Sequence, residues 1–192
     1  AQSAEVDLGS VIGHELGEKF TRHHQVVDAM EALAEAQPHW QLTQYGTTSE
    51  GRPLLGLIMS SPENMANLEV LKAQNRRRVE EGVDTGDRVV WVYLSYNVHG
   101  NEAVCTEAAM ATAQALATTH THLLERAVVL IDPCVNPDGR DRYVHFQDQS
   151  TTARRNVDPR AWEHDEPWPG GRANHFLLSL IHISEPTRQS PI

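Results

Sequence analysis

Cysteine is scarce in this chain, with only Cys105 and Cys134 among 192 residues. Small secreted domains that depend on disulfides carry many more cysteines, and neither cysteine here belongs to a CxxC pattern. The sequence therefore favours two free, buried thiols, with a single disulfide as the alternative. It also argues against a metal site built from cysteines.

Positive charge and long apolar runs are scarce as well. Sixteen lysines and arginines stand against 26 aspartates and glutamates, which gives a formal net charge of −10. Nucleic acid is therefore not an expected partner, because binding it requires a basic face. No apolar run reaches the ~18 residues of a membrane-spanning helix. With 40% hydrophobic residues, the chain can still bury a sizeable core in one domain.

The first residues bear on localisation. The chain begins Ala1-Gln2-Ser3 without an initiator methionine, as a protein does after its signal peptide has been removed. An arbitrary fragment boundary would give the same start, so both explanations stay open. With a removed signal peptide, the expected location is secreted or periplasmic.

The first 80 residues show apolar patterns that predict two helices and a hairpin. Apolar residues at steps of three and four over 15–36 predict an amphipathic helix. Alternation over 40–45, a set of turn residues and an apolar run over 54–60 predict two strands of a hairpin. A serine, proline and glutamate at 61–63 then mark the start of a second helix, which should reach about residue 79.

Two strongly apolar segments define the centre of the predicted fold. Residues 89–94 and 127–131 are apolar on both faces, as are strands that lie between layers of helices. An alanine-rich helix over 102–117 joins them into a βαβ unit, which predicts that the two strands are parallel neighbours. We therefore expect an α/β fold, with a mixed, centrally parallel sheet and helices on both faces. Residues 134–171 are polar and are expected to form a long loop.

Polar residues that suit a metal site follow both apolar segments. His99 and Glu102 lie three residues apart, where the first strand ends and the next helix begins. Imidazole and carboxylate are zinc ligands, and Gly100 between them permits a tight turn. A polar loop with a glutamate at a helix start is the alternative, because such pairs arise by chance in a chain with 11 histidines. The NPDG sequence at 136–139 follows the second strand at the same sheet edge, although these residues also suit an ordinary turn.

Four segments together resemble the bacterial M14 zinc carboxypeptidases, in the family's order and spacing, over about residues 11–177. They are YGTTSEGRPL (45–54), YNVHGNE (96–102), VLIDPCVNPDGR (129–140) and PWPGGRANHF (167–176). The resemblance implies an enzyme that removes C-terminal residues from peptide substrates with one zinc ion. His99 and Glu102 match the first two zinc ligands of the family. An amidase or deacylase that acts on cell-wall peptides or N-acyl amino acids, and a binding module with a vestigial site, are the alternatives.

The same resemblance implies residues that hold the substrate. In the family, a substrate arginine and an Asn-Arg pair bind the C-terminal carboxylate of the peptide, a role that suits charge-assisted, forked contacts. Arg154, Arg155 and Arg172 are the candidates for the substrate arginine, and we take Arg155 and Arg172 as the expected substrate-binding residues. A solvated loop arginine is the alternative for each. Two histidine pairs lack any carboxylate pattern and are expected at the surface: His23, His24, His120 and His122.

The family pattern breaks after residue 177. Where the family continues with its Asn-Arg pair, residues 178–188 correspond to a translated nucleotide sequence that resembles a common transposase-type sequencing adapter. We therefore predict the N-terminal part of a zinc carboxypeptidase domain over 1–177 and an artefactual tail over 178–192. On this interpretation the chain lacks the third zinc histidine, the Asn-Arg pair and the general-base glutamate. His182 lies inside the tail and is not a ligand.

Overall fold

A four-stranded sheet forms the centre of the chain in a computed structural model, which describes residues 6–86, 89–151, 156, 158 and 160–167. The strand order is β1-β2-β4-β3. The bounds are β1 (Gln41–Thr47), β2 (Pro53–Met59), β3 (Val90–Ser95) and β4 (Ala127–Asp132). β1 and β2 form the expected antiparallel hairpin, and β2 also runs antiparallel to β4.

Helices connect these strands and cover the sheet. Within the described residues the α-helices are α1 (Leu8–Ile12), α2 (His23–Ala36), α3 (Pro62–Ala66), α4 (Leu68–Glu81), α5 (Val104–Ala117) and α6 (Pro137–Ser150). Two short 3₁₀ helices lie at Thr121–Glu125 and Trp162–His164. The main core lies between one face of the sheet and helices α1, α2 and α5. A smaller cluster from α3 and α4 covers part of the other face.

The two apolar segments are parallel neighbours, as the sequence predicts. β3 pairs with β4 in parallel from Val90 opposite Ala127 to Ser95 opposite Asp132, and α5 forms the connection between them. β4 has a continuous apolar run because both of its faces are buried. Val129 belongs to the main core, and Val128 belongs to the smaller cluster on the opposite face. The expected α/β fold, with a mixed sheet and helices on both faces, is confirmed. Within the described residues, however, the parallel pair lies at one edge of the sheet, because β3 is the last strand and the inner pair, β2 and β4, is antiparallel. No residue of β3 is buried, so the expectation that this strand lies between layers of helices is wrong.

The boundaries of the early helices differ from the prediction. The helix predicted over 15–36 begins only at His23, and a separate short helix, α1, precedes it. Gly13 ends α1 in the left-handed region with φ 77°, a conformation that side-chain-bearing residues rarely adopt. The helix predicted over 62–79 is split at Asn67 into α3 and α4.

The expected loop after β4 is wrong over much of its length, because α6 occupies it. Asn136 caps this helix by accepting a hydrogen bond from the backbone N–H of Gly139 at 3.0 Å, and Pro137 stands in the first turn. Residues that suit a turn here start a helix instead. Few apolar side chains mark its buried side, chiefly Tyr143 and Val144, so the 3.6-residue period is weak.

Cys105 and Cys134 are both free thiols, as the sequence favours. Cys134 is buried, and burial raises the pKa of its thiol to about 12. Cys105 is partly exposed, so the expectation that both thiols are buried is wrong for Cys105. Among the described residues, no helix is both long and apolar enough to cross a membrane.

His23 is buried, and the expectation that it lies at the surface is wrong. Its Nε2 hydrogen-bonds the carbonyl oxygen of Pro53 at 2.8 Å, and its backbone N–H donates to Asp141 at 2.8 Å. The first turn of α2 is therefore packed between the start of β2 and α6. His24 is exposed as expected, and so are two further histidines, His120 and His122. Burial lowers the pKa of His23 below its ordinary value.

The pH dependence of stability tests the burial of His23. As the pH falls through about 6.5, the unfolded chain takes up a proton that the folded chain resists, so the free energy of unfolding decreases. The stability of the folded state that depends on a neutral His23 is fully present above pH 6.5. It is lost as the pH falls from 6.5 towards the lower pKa that His23 has in the folded chain. We expect the His23→Gln variant to lose less stability than the wild type between pH 7.5 and 5, measured by urea denaturation. His24→Gln is the matched control and should follow the wild type, and identical curves for His23→Gln and the wild type would contradict the account.

Candidate metal centre

The structure brings the side chains of His99 and Glu102 together beyond the carboxyl end of β3. The Nδ1 of His99 and the Oε1 of Glu102 lie 3.1 Å apart. A turn closes the segment between them, because the backbone N–H of Glu102 donates to the carbonyl oxygen of His99 at 3.0 Å. The His99 side chain is 16% exposed and that of Glu102 is 54% exposed. An enclosed imidazole and an accessible carboxylate thus share one site.

Gly100 lies directly against the first turn of α6. A Cβ atom at this position would lie 2.0 Å from the carbonyl carbon of Gly139 and 2.3 Å from the backbone nitrogen of Arg140. No side chain fits in that space, so the close contact between two backbones is what requires glycine here. Asn136 adds a hydrogen bond from its Nδ2 to the carbonyl oxygen of Val98 at 3.1 Å. The NPDG segment therefore supports the loop that carries His99, as its place at the same sheet edge predicts.

A second motif segment contacts the NPDG segment through Asp138. The buried carboxylate of Asp138 accepts hydrogen bonds from Thr48 Oγ1 at 2.7 Å and from Arg52 Nη1 at 2.8 Å. Burial raises the pKa of Asp138, but these hydrogen bonds outweigh burial and hold the pKa below its usual range. Asp138 is therefore ionised at neutral pH and anchors the β1–β2 turn to the start of α6.

A buried guanidinium joins the His99 loop to α5. Arg140 is fully buried, and its Nη2 donates to Glu107 Oε1 at 2.6 Å while its Nη1 donates to Asn97 Oδ1 at 3.0 Å. Glu107 also accepts from the backbone N–H of Thr21 at 2.7 Å and from its hydroxyl at 2.9 Å. Sequence reasoning missed this network. Its one visible signal is Glu107, a charged residue on the buried stripe of an alanine-rich helix.

The donor set of the site suits zinc. An imidazole nitrogen and a carboxylate oxygen are both ordinary zinc ligands, and two ligands of a tetrahedral zinc lie about 3.4 Å apart at usual bond lengths. The separation of 3.1 Å between His99 and Glu102 is close to that value. Within the part of the chain that the structure describes, no group of three histidines, cysteines, aspartates or glutamates could hold a metal ion. Among the described residues, the site therefore brings together one pair of candidate donors, His99 and Glu102.

The other predicted site residues lie outside the described residues. These are the substrate-arginine candidates Arg154, Arg155 and Arg172; His182, which the sequence analysis rejects as a ligand, also lies there. Their roles, like the boundary predicted at residue 177, stay predictions.

Comparison with known proteins identifies the family. The model of the zinc carboxypeptidase family, peptidase family M14, matches residues 26–176. No curated protein matches the sequence. Among solved structures, carboxypeptidase A from Helicoverpa armigera is similar with a TM-score of 0.50 and 18% identity, over 80% of this chain and 36% of that one. Bovine thrombin-activatable fibrinolysis inhibitor, in complex with tick carboxypeptidase inhibitor, gives a TM-score of 0.48 and 17% identity over 74% and 40% of the two chains.

These comparisons differ in what they establish. At 18% identity, the likeness to the Helicoverpa armigera enzyme shows the fold alone. The chain spans only 27% to 40% of the length of the first solved structures that it matches. The family model, by contrast, covers most of this chain, including both sheet-edge loops described above. The chain therefore belongs to the M14 family of zinc carboxypeptidases.

Proposed function

We propose that this chain is part of a zinc-dependent metallocarboxypeptidase that hydrolyses C-terminal peptide bonds. In this proposal His99 and Glu102 are two of the protein ligands of the zinc ion. The observation that carries it is the 3.1 Å approach of an imidazole nitrogen and a carboxylate oxygen, in a family motif at the edge of the sheet. A peptide is the corresponding substrate, and a secreted or periplasmic location remains part of the proposal.

Each residue of the pair has a role that follows from its surroundings. His99 offers the lone pair of its Nδ1 from a mostly enclosed ring, whose position is fixed by the surrounding loop. Glu102 offers a negative charge beside the start of α5, where the helix dipole favours an anion. When bound, zinc would supply an activated water and polarise the scissile carbonyl group. The two protein residues would bind and orient the metal, and the carboxylate of Glu102 is accessible to water.

Zinc affinity is the direct test of the two ligands. We expect His99→Ala and Glu102→Ala each to weaken zinc binding at least about tenfold, because each loss leaves one coordination position to water. Competition with a chromophoric chelator at pH 7.5 measures the dissociation constant.

His122→Ala is the matched control for this experiment, because it removes an exposed histidine distant in sequence from the site. It should bind zinc as the wild type does. Equal affinity in the wild type and His99→Ala would refute the proposed site.

A second prediction concerns turnover by the chain of 192 residues. We expect no measurable release of C-terminal residues, because two zinc ligands hold the metal weakly and the family's general-base glutamate is expected to be absent. Loss of a general base alone costs ~10²–10⁴-fold in rate. The assay supplies zinc and a mixed peptide library, with N-acyl amino acids and cell-wall peptides as parallel substrates.

The control for turnover is His99→Ala, assayed under the same conditions. Zinc-dependent hydrolysis by the wild type above this control would contradict the prediction. It would also make His182 the first candidate for a third ligand, and the substrate that is cleaved would distinguish peptidase from amidase or deacylase chemistry.

A further inference from the structure

We propose that Asn97 is a positioning residue for the zinc ligand His99, and that the buried guanidinium of Arg140 fixes Asn97 in that role. This inference rests on the proposed function, because the residue that is positioned is His99. In this inference, hydrogen bonds connect the loop that carries His99 with the buried core of the domain.

The backbone of Asn97 has an unusual conformation for a residue with a side chain. Its φ angle is 60°, and the residue is 2% exposed. Residues other than glycine are uncommon in this left-handed region, although asparagine is enriched there, and such conformations cluster at functional sites. The chain needs this turn immediately after β3, two residues before His99.

The side chain of Asn97 then holds the backbone of His99. Its Nδ2 donates a hydrogen bond to the carbonyl oxygen of His99 at 2.6 Å. That carbonyl group also accepts the backbone N–H of Glu102 at 3.0 Å. One oxygen atom thus joins Asn97, His99 and Glu102, so the position of the Asn97 amide influences both proposed ligands.

The other end of the Asn97 amide is held by the core. Its Oδ1 accepts hydrogen bonds from Arg140 Nη1 at 3.0 Å and from Thr106 Oγ1 at 2.9 Å. Both contacts are buried, and they leave one orientation for the amide, with the oxygen towards Arg140 and the NH₂ group towards His99. The hydrogen-bonding partners therefore determine which way the side chain faces.

Arg140 itself is held on every side. Its Nε donates to the carbonyl oxygen of Thr21 at 2.9 Å, its Nη1 also donates to that of Ala103 at 2.6 Å, and its Nη2 pairs with Glu107. Replacing a buried ion pair with apolar residues is often neutral or stabilising, so the Arg140–Glu107 pair is weak evidence of a purely stabilising role. Its geometry, with one guanidinium nitrogen directed at Asn97, supports a positioning role.

The test compares zinc affinity with stability in a set of variants. Asn97→Gly keeps the left-handed backbone and removes the amide. We expect its zinc dissociation constant to rise about 10- to 100-fold, the usual effect of losing a group that orients a metal ligand. The double variant Arg140→Met/Glu107→Met removes the ion pair without leaving one charge buried alone, and it should weaken zinc binding in the same direction. Urea denaturation of the metal-free proteins gives the stability of each variant.

Ser60→Ala is the matched control. Ser60 is fully buried, and its hydroxyl group donates to the backbone carbonyl oxygens of Leu124 and Ala127. It lies at the end of the sheet opposite to His99. This variant should lose stability while its zinc dissociation constant stays within about twofold of the wild type. A loss of zinc affinity in Ser60→Ala as large as that in Asn97→Gly would overturn the inference, because affinity would then follow overall stability.

Two further results separate this inference from the proposed function. If Asn97→Gly binds zinc within twofold of the wild type while His99→Ala does not, the positioning role is refuted and the zinc site stands. If His99→Ala binds as well as the wild type, the zinc site is refuted, and with it the role of Asn97.

Discussion

The buried ion pair between Arg140 and Glu107 is the contact on which the candidate site depends. Five hydrogen bonds converge on it from the segment before α2, from the N-cap residue of α5 and from the loop that follows β3. An unpaired charge in this place would cost several kcal/mol, so either residue requires the other. The network therefore connects α5 and α6, through Glu107 and Arg140, with the loop that carries His99 and Glu102.

Sheet topology brings the remaining parts of the site together. β3 and β4 are parallel, so the loops that follow them leave the same edge of the sheet. The backbone contact of Gly100 with Gly139 then fixes the distance between the two loops. Asp138, in the second of these loops, is bound by Thr48 and Arg52 from the β1–β2 turn. Two of the segments that carry the family resemblance, 45–54 and 96–102, thus both contact a third, the NPDG end of 129–140.

The sequence predicts those parts of the fold that depend on apolar periodicity. β3 and β4 arise from short, continuous apolar runs, and the His99–Glu102 pair lies at a fixed spacing just after β3. Helix α6 was not predicted, because its buried side has few apolar residues and its first residues are types that also form turns. The burial of His23 and the partners of Arg140 also escaped, since such contacts join residues far apart in the chain, as from Thr21 to Arg140. No local pattern encodes these contacts, although a charged residue on an apolar helix face, Glu107, indicates that a buried partner of opposite charge is needed.

The central claim is that His99 and Glu102 bind zinc together, and the local environment of the bound metal tests it most directly. X-ray absorption at the zinc edge, on the wild-type chain loaded with one equivalent of zinc, should show one imidazole among otherwise oxygen ligands at about 2.0–2.2 Å. The imidazole contribution should vanish in His99→Ala. A zinc environment that is the same in both proteins, or one without any imidazole in the wild type, would contradict the account.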